Sequence, residues 1–586
     1  MTVPTMAKLL ERLCAAGLLE GARPVAGGLI SQAWATTHGV LGAIEGTTWL
    51  EGRTYRVRLA IPSRFPNVLP MVFVLQLGQR LPHVLAHGYV CYSEHDGVLL
   101  DRHDPVAVVA EALRQALDLV GAGLRGENTL EYIEELAVHW PADALAVSTL
   151  TLTDDIRWVC GIRTDPCWRI FDDRADAQRS CPGQDAEQVL YIPLPRVPRP
   201  LDPFPEGAWR PRDITRFILQ NLDDDQRRSL HVRLRGSKRT RSLVVVRVVR
   251  PRGGVCLIGV EYHDIQGDHP LTKRGGTALC SQFRVVRQDQ DYFVARGGGL
   301  AEVRRCKALL VGCGAIGGHI AGELARAGVQ QLTLVDPDEL RPENAYRHVL
   351  GNSIQSRMVR ALLCPPAKAA MLMFDLGDRY PALEIGHHVG HIEGLLQQKH
   401  INLEAFDVVV VATGDPNVDR WVNEVALRSP TAPPVIYCWL EPLGLGGHAV
   451  LVPGHAAAEP RGPGCLDCLF TPAPEDRTPR LCNRAAFAEA GQAVTRELAA
   501  CGQAFTPFGS LDAARTAELA ARLALDVAAH GLRGPVLRSW KGDPQAFRAA
   551  GYRTSSRFEA ASEDLERASG SFAQHHCPVC AAVSTR

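Results

Sequence analysis

The sequence predicts an α/β C-terminal half, preceded by a small α+β module and a middle region that connects them. Three observations carry this reading. Lys307 to Asp336 reads as strand, glycine turn, helix, strand and acid. The first 145 residues hold alternating apolar and polar runs followed by one amphipathic helix pattern. Seven prolines crowd Tyr191 to Asp213, where neither a helix nor a central strand can be sustained.

Composition narrows the class. At 586 residues, 46% hydrophobic and 22% charged, the chain can bury several cores, which excludes global disorder. Lys plus Arg (64) balances Asp plus Glu (64), so the basic excess of a nucleic-acid or membrane-surface binder is absent. No apolar run approaches the ~18 residues of a membrane span, and Met1 to Glu20 lacks the apolar block of a secretory signal. A cytoplasmic protein is expected. Seventeen cysteines in so long a chain do not suggest a disulfide scaffold; clustered ones point to metal, isolated ones to core or catalysis.

Taken in order, residues 1–145 form the α+β module, with strands expected at Thr54–Ile61 and Met71–Leu77 and a helix at Pro105–Val120. Residues 146–300 form the connecting domain, with strands at Ser242–Val249 and Gly254–Tyr262, and the proline-rich stretch is read as an extended connector or long loop. Residues 301–586 form the α/β domain.

In that last domain the strand Lys307–Val311 runs into Gly312-Cys-Gly314-Ala-Ile-Gly317. Glycine allows the tight turn and lets backbone N–H groups approach a phosphate at the helix N-terminus. A helix to Ala327 and a second strand, Gln331–Val335, end on Asp336, an acid placed to accept from a ribose. The glycine pattern alone is weak; the complete unit is good evidence for a nucleotide. Residues further downstream decide which kind. Asp336-Pro-Asp338, Asn344-Ala-Tyr-Arg347, Lys368 and the apolar strand ending in Thr413-Gly-Asp415 put two cations and a carboxylate where a reacting triphosphate needs them. Arg347 and Lys368 would stabilise phosphates and Asp415 would hold Mg²⁺. Taken singly, each could equally be a surface charge.

Cys465-Leu-Asp-Cys468 and Cys577-Pro-Val-Cys580 are two CxxC pairs that together make a closed tetrahedral zinc site with no open position for chemistry. A redox CxxC is the rival, but neither pair opens a helix in a βαβ unit.

These motifs, from Val311-Gly-Cys-Gly-Ala-Ile-Gly-Gly318 through Leu334-Val-Asp-Pro-Asp338, Asn344-x-x-Arg347, Lys368, Thr413-Gly-Asp415 and Cys465-Leu-Asp-Cys-Leu-Phe470, resemble the ThiF/MoeB and ubiquitin-activating superfamily over about residues 300–586. The resemblance implies a Rossmann-type domain that uses ATP to adenylate the C-terminal carboxylate of a protein. It places Gly312, Gly314 and Gly317 around the nucleotide, Asp336 and Asp338 near the ribose end, Asn344, Arg347 and Lys368 on the phosphates, Asp415 on Mg²⁺, and Zn²⁺ on the four cysteines. Such enzymes are homodimers or pseudodimers. Cys364-Pro-Pro366 before Lys368 departs from the pattern.

The N-terminal module resembles the ubiquitin-conjugating fold: a proline-rich turn (Pro62 to Pro70), a strand, Cys91 beyond it and then a helix. The His-Pro-Asn stretch and the following tryptophan of that family are absent; His83 or His87 occupies the neighbourhood. Cys91 is thus a candidate acyl carrier, against a buried apolar cysteine. In the C-terminal half Cys501, ahead of a helix at Leu511–Ala528, is preferred to Cys482 as the activating domain's own thiol.

This order resembles the fusion ligases of bacterial anti-phage CBASS operons, which implies a cGAS-like nucleotidyltransferase as the conjugated protein, Cys501 then Cys91 as thioester carriers, and a middle region resembling a degenerate adenylation domain. The alternatives are a sulfur-carrier adenylyltransferase, for which Cys91 is irrelevant, and a scaffold whose ATP site has decayed.

Overall fold

In a computed structural model the chain divides into two units, Met1–Asp289 and Gln290–Arg586. The structure describes all residues except 1–5, 26–38, 94–97, 141–143, 165–166, 202–203, 205–208, 237–238, 273–274, 352–365, 381, 455–463, 473, 476–480, 495, 498–503, 571 and 584–586. The division falls at Asp289/Gln290, not at 300/301, because the segment from helix Gln290–Arg296 onward already packs with the second unit.

The first unit begins with helix Met6–Ala15 and an antiparallel meander of Glu20–Val25 (β1), Val40–Leu50 (β2), Arg53–Pro62 (β3) and Met71–Leu75 (β4), in that spatial order. Alternation in β3 buries Tyr55, Val57, Leu59 and Ile61. They pack with Val109, Leu113, Ala116 and Val120, one stripe of helix Pro105–Leu124. Each fully buried side chain of this kind contributes roughly 1.5–3 kcal/mol. The helix starts where Pro105 can tolerate it and Asp104 accepts the Ala107 N–H at 3.0 Å.

Next come Ala144–Ser148 (β5), Arg157–Thr164 (β6), Cys167–Phe171 (β7), Glu187–Pro193 (β8), Arg241–Val249 (β9), Val255–Gln266 (β10) and Thr277–Arg287 (β11). They close into a barrel in the order β10-β11-β5-β7-β6-β8-β9. β9 is apolar on both faces because Leu243 and Val245 join Trp168, Tyr191 and Phe283 in one core, while Val244, Val246 and Val248 lie under helices Pro211–Gln220 and Asp224–Leu234. Where the resemblance to fusion ligases implied a degenerate adenylation domain, the strands form a closed barrel and not an open, doubly wound sheet. The proline-rich stretch also differs from a free connector. Its Leu194, Leu201 and Trp209 are buried against the barrel, and Pro211 opens a helix.

In the second unit Lys307–Val311 (β12), Gln331–Asp336 (β13), Glu384–Val389 (β14), Val408–Val411 (β15), Val435–Leu440 (β16) and Gly446–Val452 (β17) belong to one sheet. Arg496–Glu497 (β18) and Ala504–Phe505 (β19) form a separate short pair. Val536–Lys541 (β20) then returns to complete the sheet, ordered β14-β13-β12-β15-β16-β17-β20. The first five of these are parallel, and β17 is antiparallel to both its neighbours, β16 and β20. Helices Ala315–Ala327, Lys368–Arg379 and Ser510–His530 cover one face, and helices Ile392–Gln397 and Pro416–Arg428 the other. The chain runs from β12 outward to β14, then returns to place β15 on the other side of β12. At this reversal the connections leave in opposite directions and open a crevice beyond the carboxyl ends of the strands.

Candidate active site

The glycine loop lies at that crevice. Gly312 leaves β12 at φ +93, and its N–H donates to Val335 O at 2.8 Å. A Cβ on Gly317 would lie 1.8 Å from Gly312 O, so no larger residue closes this turn. Gly314 differs. It precedes helix Ala315–Ala327 at φ −76, and a Cβ there would meet nothing within 4 Å. The positive end of a 13-residue helix therefore faces open space.

Gly314, Ala315, Asn344, Arg347, His348, Lys368 and Phe508 line an open cleft of ≈ 430 Å³. The two cations predicted for phosphate thus line the same cleft as the helix terminus. The Arg347 guanidinium stacks 5.0 Å from the Phe508 ring centroid. Lys368 is delivered by pairing of Glu339 with Ala367 and by Leu340 N–H donating to Pro366 O at 2.7 Å. Its N–H donates to Asp338 O (2.9 Å) and its Nζ to Asp338 Oδ2 (2.8 Å). Asn344 Oδ1 accepts Arg341 N–H at 2.9 Å, which shapes the turn that presents Arg347.

Asp336 is buried and accepts two backbone donors, Cys313 N–H at 2.6 Å and Asp338 N–H at 2.8 Å; burial raises its pKa. The acid therefore holds the loop. His348, which motif reading passed over, does the same from the other side. Its Nδ1 accepts Leu350 N–H (3.3 Å), so Nε2 carries the proton and donates to Cys313 O at 2.6 Å. Burial lowers its pKa, which keeps the ring neutral. Its place one residue after Arg347 was the available signal.

Asp415 follows β15 across the crevice and caps helix Pro416–Arg428, its Oδ1 accepting Asn417 N–H at 2.8 Å. It is exposed and does not line the cleft around Arg347 and Lys368. Thr413 Oγ1 donates to buried Asp419 at 2.5 Å, and burial with nearby Asp415 pushes the Asp419 carboxyl up to about 7.

The four predicted metal ligands converge. Cys465, Cys468, Cys577 and Cys580 are all buried, with Sγ atoms within 4.8 Å of one another and closest pairs at 3.5, 3.7 and 3.9 Å. Four thiolates around Zn²⁺ at ~2.3 Å need S···S separations of ~3.8 Å, so the donor set fits that ion. Asp467, between the first two cysteines, accepts Arg420 Nε (2.7 Å) and Asn423 Nδ2 (2.9 Å), both from helix Pro416–Arg428.

Of the acyl-carrying candidates, Cys501 lies outside the described residues; on either side β18 pairs with β19. Cys482 is half-buried, just before a segment anchored by buried Phe487, whose N–H donates to Glu441 Oε1 at 3.2 Å. Cys91 follows β4 in the first unit. It is half-buried beside Met71, Phe73 and Tyr89. Its N–H donates to His83 O at 2.7 Å. His83 is therefore in touch with Cys91 through its backbone, while His87 is exposed.

The fold defines a class: a ThiF-type adenylation domain following a ubiquitin-conjugating-like domain. Residues 288–566 match the ThiF family and residues 35–145 match prokaryotic E2 family B, so the chain is a fusion of these two kinds of domain. Among curated proteins it is 25% identical to an "ATP-dependent ubiquitin transferase-like protein Cap2" of Pseudomonas aeruginosa, over 80% of this chain and 84% of that one. It is 22% identical to the protein of the same name from Escherichia coli, over 77% and 82%. Among solved structures, E. coli MccB with ATP is 16% identical over 48% of this chain and 68% of that one, with a TM-score of 0.31.

Proposed function

We propose that the protein spends ATP to adenylate a partner protein's C-terminal carboxylate, carries the acyl group on Cys501 and then Cys91, and conjugates it to an amine. The observation that carries this reading is the open helix terminus at Gly314 ringed by Arg347 and Lys368, in one chain with a thiol on an E2-type module. The relatives named ATP-dependent ubiquitin transferase-like support it.

In the first step the partner's carboxylate oxygen attacks the α-phosphorus of ATP, and pyrophosphate leaves. Arg347, Lys368 and the helix terminus stabilise the charge spread over the phosphate oxygens. Asp336 takes the ribose hydroxyls, and Asp415 is the residue that would hold Mg²⁺, an ion that neutralises phosphate charge. The Cys501 thiolate then attacks the acyl carbon, forming a thioester and releasing AMP. Cys91 exchanges onto that carbonyl and Cys501 leaves as thiolate. An amine, expected to be a lysine, displaces Cys91 to form an amide. Having both thiols in one chain raises the effective concentration for the exchange. The zinc set carries no step; the closed Cys₄ site stabilises the fold. The partner we assign is a cGAS-like nucleotidyltransferase in bacterial antiviral defence, and the assembly a homodimer.

The test is intact-mass spectrometry of the full chain with ATP and that nucleotidyltransferase. Wild type is expected to show a reducing-agent-sensitive adduct and an amide-linked product. Cys91→Ala should retain partner-dependent ATP–pyrophosphate exchange and lose the product, and Cys501→Ala should lose both adducts. Undiminished product with Cys91→Ala refutes the relay.

A further inference from the structure

Away from the nucleotide cleft, one carboxylate holds one histidine twice. Glu135, between the short helices Glu131–Glu134 and Leu136–His139, accepts the His83 backbone N–H on Oε2 at 2.8 Å, and its Oε1 lies 2.7 Å from His83 Nδ1. His139, buried, bonds Glu135 Oε2 from the next turn at 3.0 Å, so the carboxylate is itself held in place. Glu131 Oε2 lies 3.6 Å from the other ring nitrogen of His83.

The histidine held this way has φ +61, in the left-handed region that residues with a Cβ rarely occupy. In that conformation its carbonyl accepts the Cys91 N–H at 2.7 Å, and Val84 pairs with Val90 just inside this contact. A single acid thus fixes both the backbone and the ring of His83, and the backbone of His83 fixes the residue that bears the thiol. A strained φ/ψ persists only where the surroundings over-determine it, and here they do so with a bidentate, charge-assisted contact.

We propose that Glu135, acting through His83, is a positioning residue for Cys91. It sets the backbone of the thiol-bearing residue at the point where the family's His-Pro-Asn stretch is missing. The inference rests on the reading that Cys91 receives the acyl group. Glycine chemistry separates this role from a general stabilising one. Glycine adopts φ +61 without a Cβ penalty, so a glycine at position 83 needs no carboxylate to hold it there.

The experiment follows formation of the amide-linked product by the full chain with ATP and the nucleotidyltransferase partner, with ATP–pyrophosphate exchange measured in parallel. Glu135→Ala is expected to slow product formation about tenfold while leaving pyrophosphate exchange unchanged. Adding His83→Gly to Glu135→Ala is expected to restore most of the lost rate. No rescue in the double variant overturns the proposal, because Glu135 then acts by another route. Should Glu135→Ala fail to fold, His83→Val against His83→Gly reads the same requirement without touching the acid. Valine, β-branched, resists positive φ and should be the slower of the two; equal rates overturn the proposal. Cys91→Ala separates this from failure of the underlying reading. If it leaves product unchanged, the relay itself is wrong; if it abolishes product while Glu135→Ala has no effect, only the positioning role falls.

Discussion

Gly314→Ala sets folding and nucleotide binding against each other at one atom. A methyl group there meets no protein atom within 4 Å, and φ −76 is open to alanine. Folding stability should stay within about 1 kcal/mol and could rise slightly, since alanine restricts the unfolded chain. The same methyl group occupies the mouth of the helix between Arg347 and Lys368, where a phosphate oxygen would accept from a backbone N–H. Losing one hydrogen bond to a charged group costs about 1.5–3 kcal/mol, or roughly 10- to 100-fold in ATP affinity. Gly317→Ala has the opposite signature. Its Cβ would sit 1.8 Å from Gly312 O, so backbone must move, at a cost of about 3 kcal/mol or more and a fall in melting temperature of roughly 6–12 °C. Titration calorimetry with ATP and scanning calorimetry of both variants decide the matter. If Gly314→Ala binds ATP as tightly as wild type, no phosphate lies at that helix and the assigned cleft is wrong.

Three further outcomes are expected. Arg347→Ala should raise the ATP KM about tenfold or more in pyrophosphate exchange with little change in melting temperature, because the half-buried guanidinium stacks on Phe508 at the cleft wall and not in the domain core. Elemental analysis should find one zinc per chain, and Cys577→Ser should lose it and several kcal/mol of stability, seen as a lower melting temperature than any single cleft variant. Asp419 sits at about 7 when folded against an ordinary 3.8, so the native state binds the extra proton and stability falls as pH rises between those values. At ~1.4 kcal/mol per pH unit the full cost is about 4 kcal/mol. Asp419→Asn should therefore melt higher than wild type at pH 8, with the advantage gone below pH ~4; equal melting at pH 8 refutes the assignment.

What the sequence made legible was local. The strand–turn–helix around Gly312 and the alternation of β3 follow from period and glycine chemistry within a dozen residues. The two CxxC pairs were readable because their chemistry is specific, even though Cys465 and Cys577 are 112 positions apart. The remainder depends on contacts with no local signature. Closure of the barrel rests on parallel pairing of β11 with β5, from residues nearly 140 apart, and β9 reads as a plain apolar run because both its faces are covered. Among the described residues of the 191–213 stretch, proline density correctly excluded regular structure from most, but it said nothing of the burial of Trp209. The His348 brace and the Glu135 hold on His83 are polar contacts set by the tertiary fold, so composition could not reveal them.

The grip of Asp467 on Arg420 and Asn423 joins two places that chemistry would otherwise leave independent. Helix Pro416–Arg428 starts at Asp415, and at ~1.5 Å per residue its two gripped side chains lie only about 8 and 12 Å along the axis from that carboxylate. Oxidation or stripping of the sulfur knot would unfasten the inner flank of this rod little more than two turns from the end that Asp415 caps. Redox conditions that spare every residue in the cleft would thereby loosen the helix that rises from Asp415.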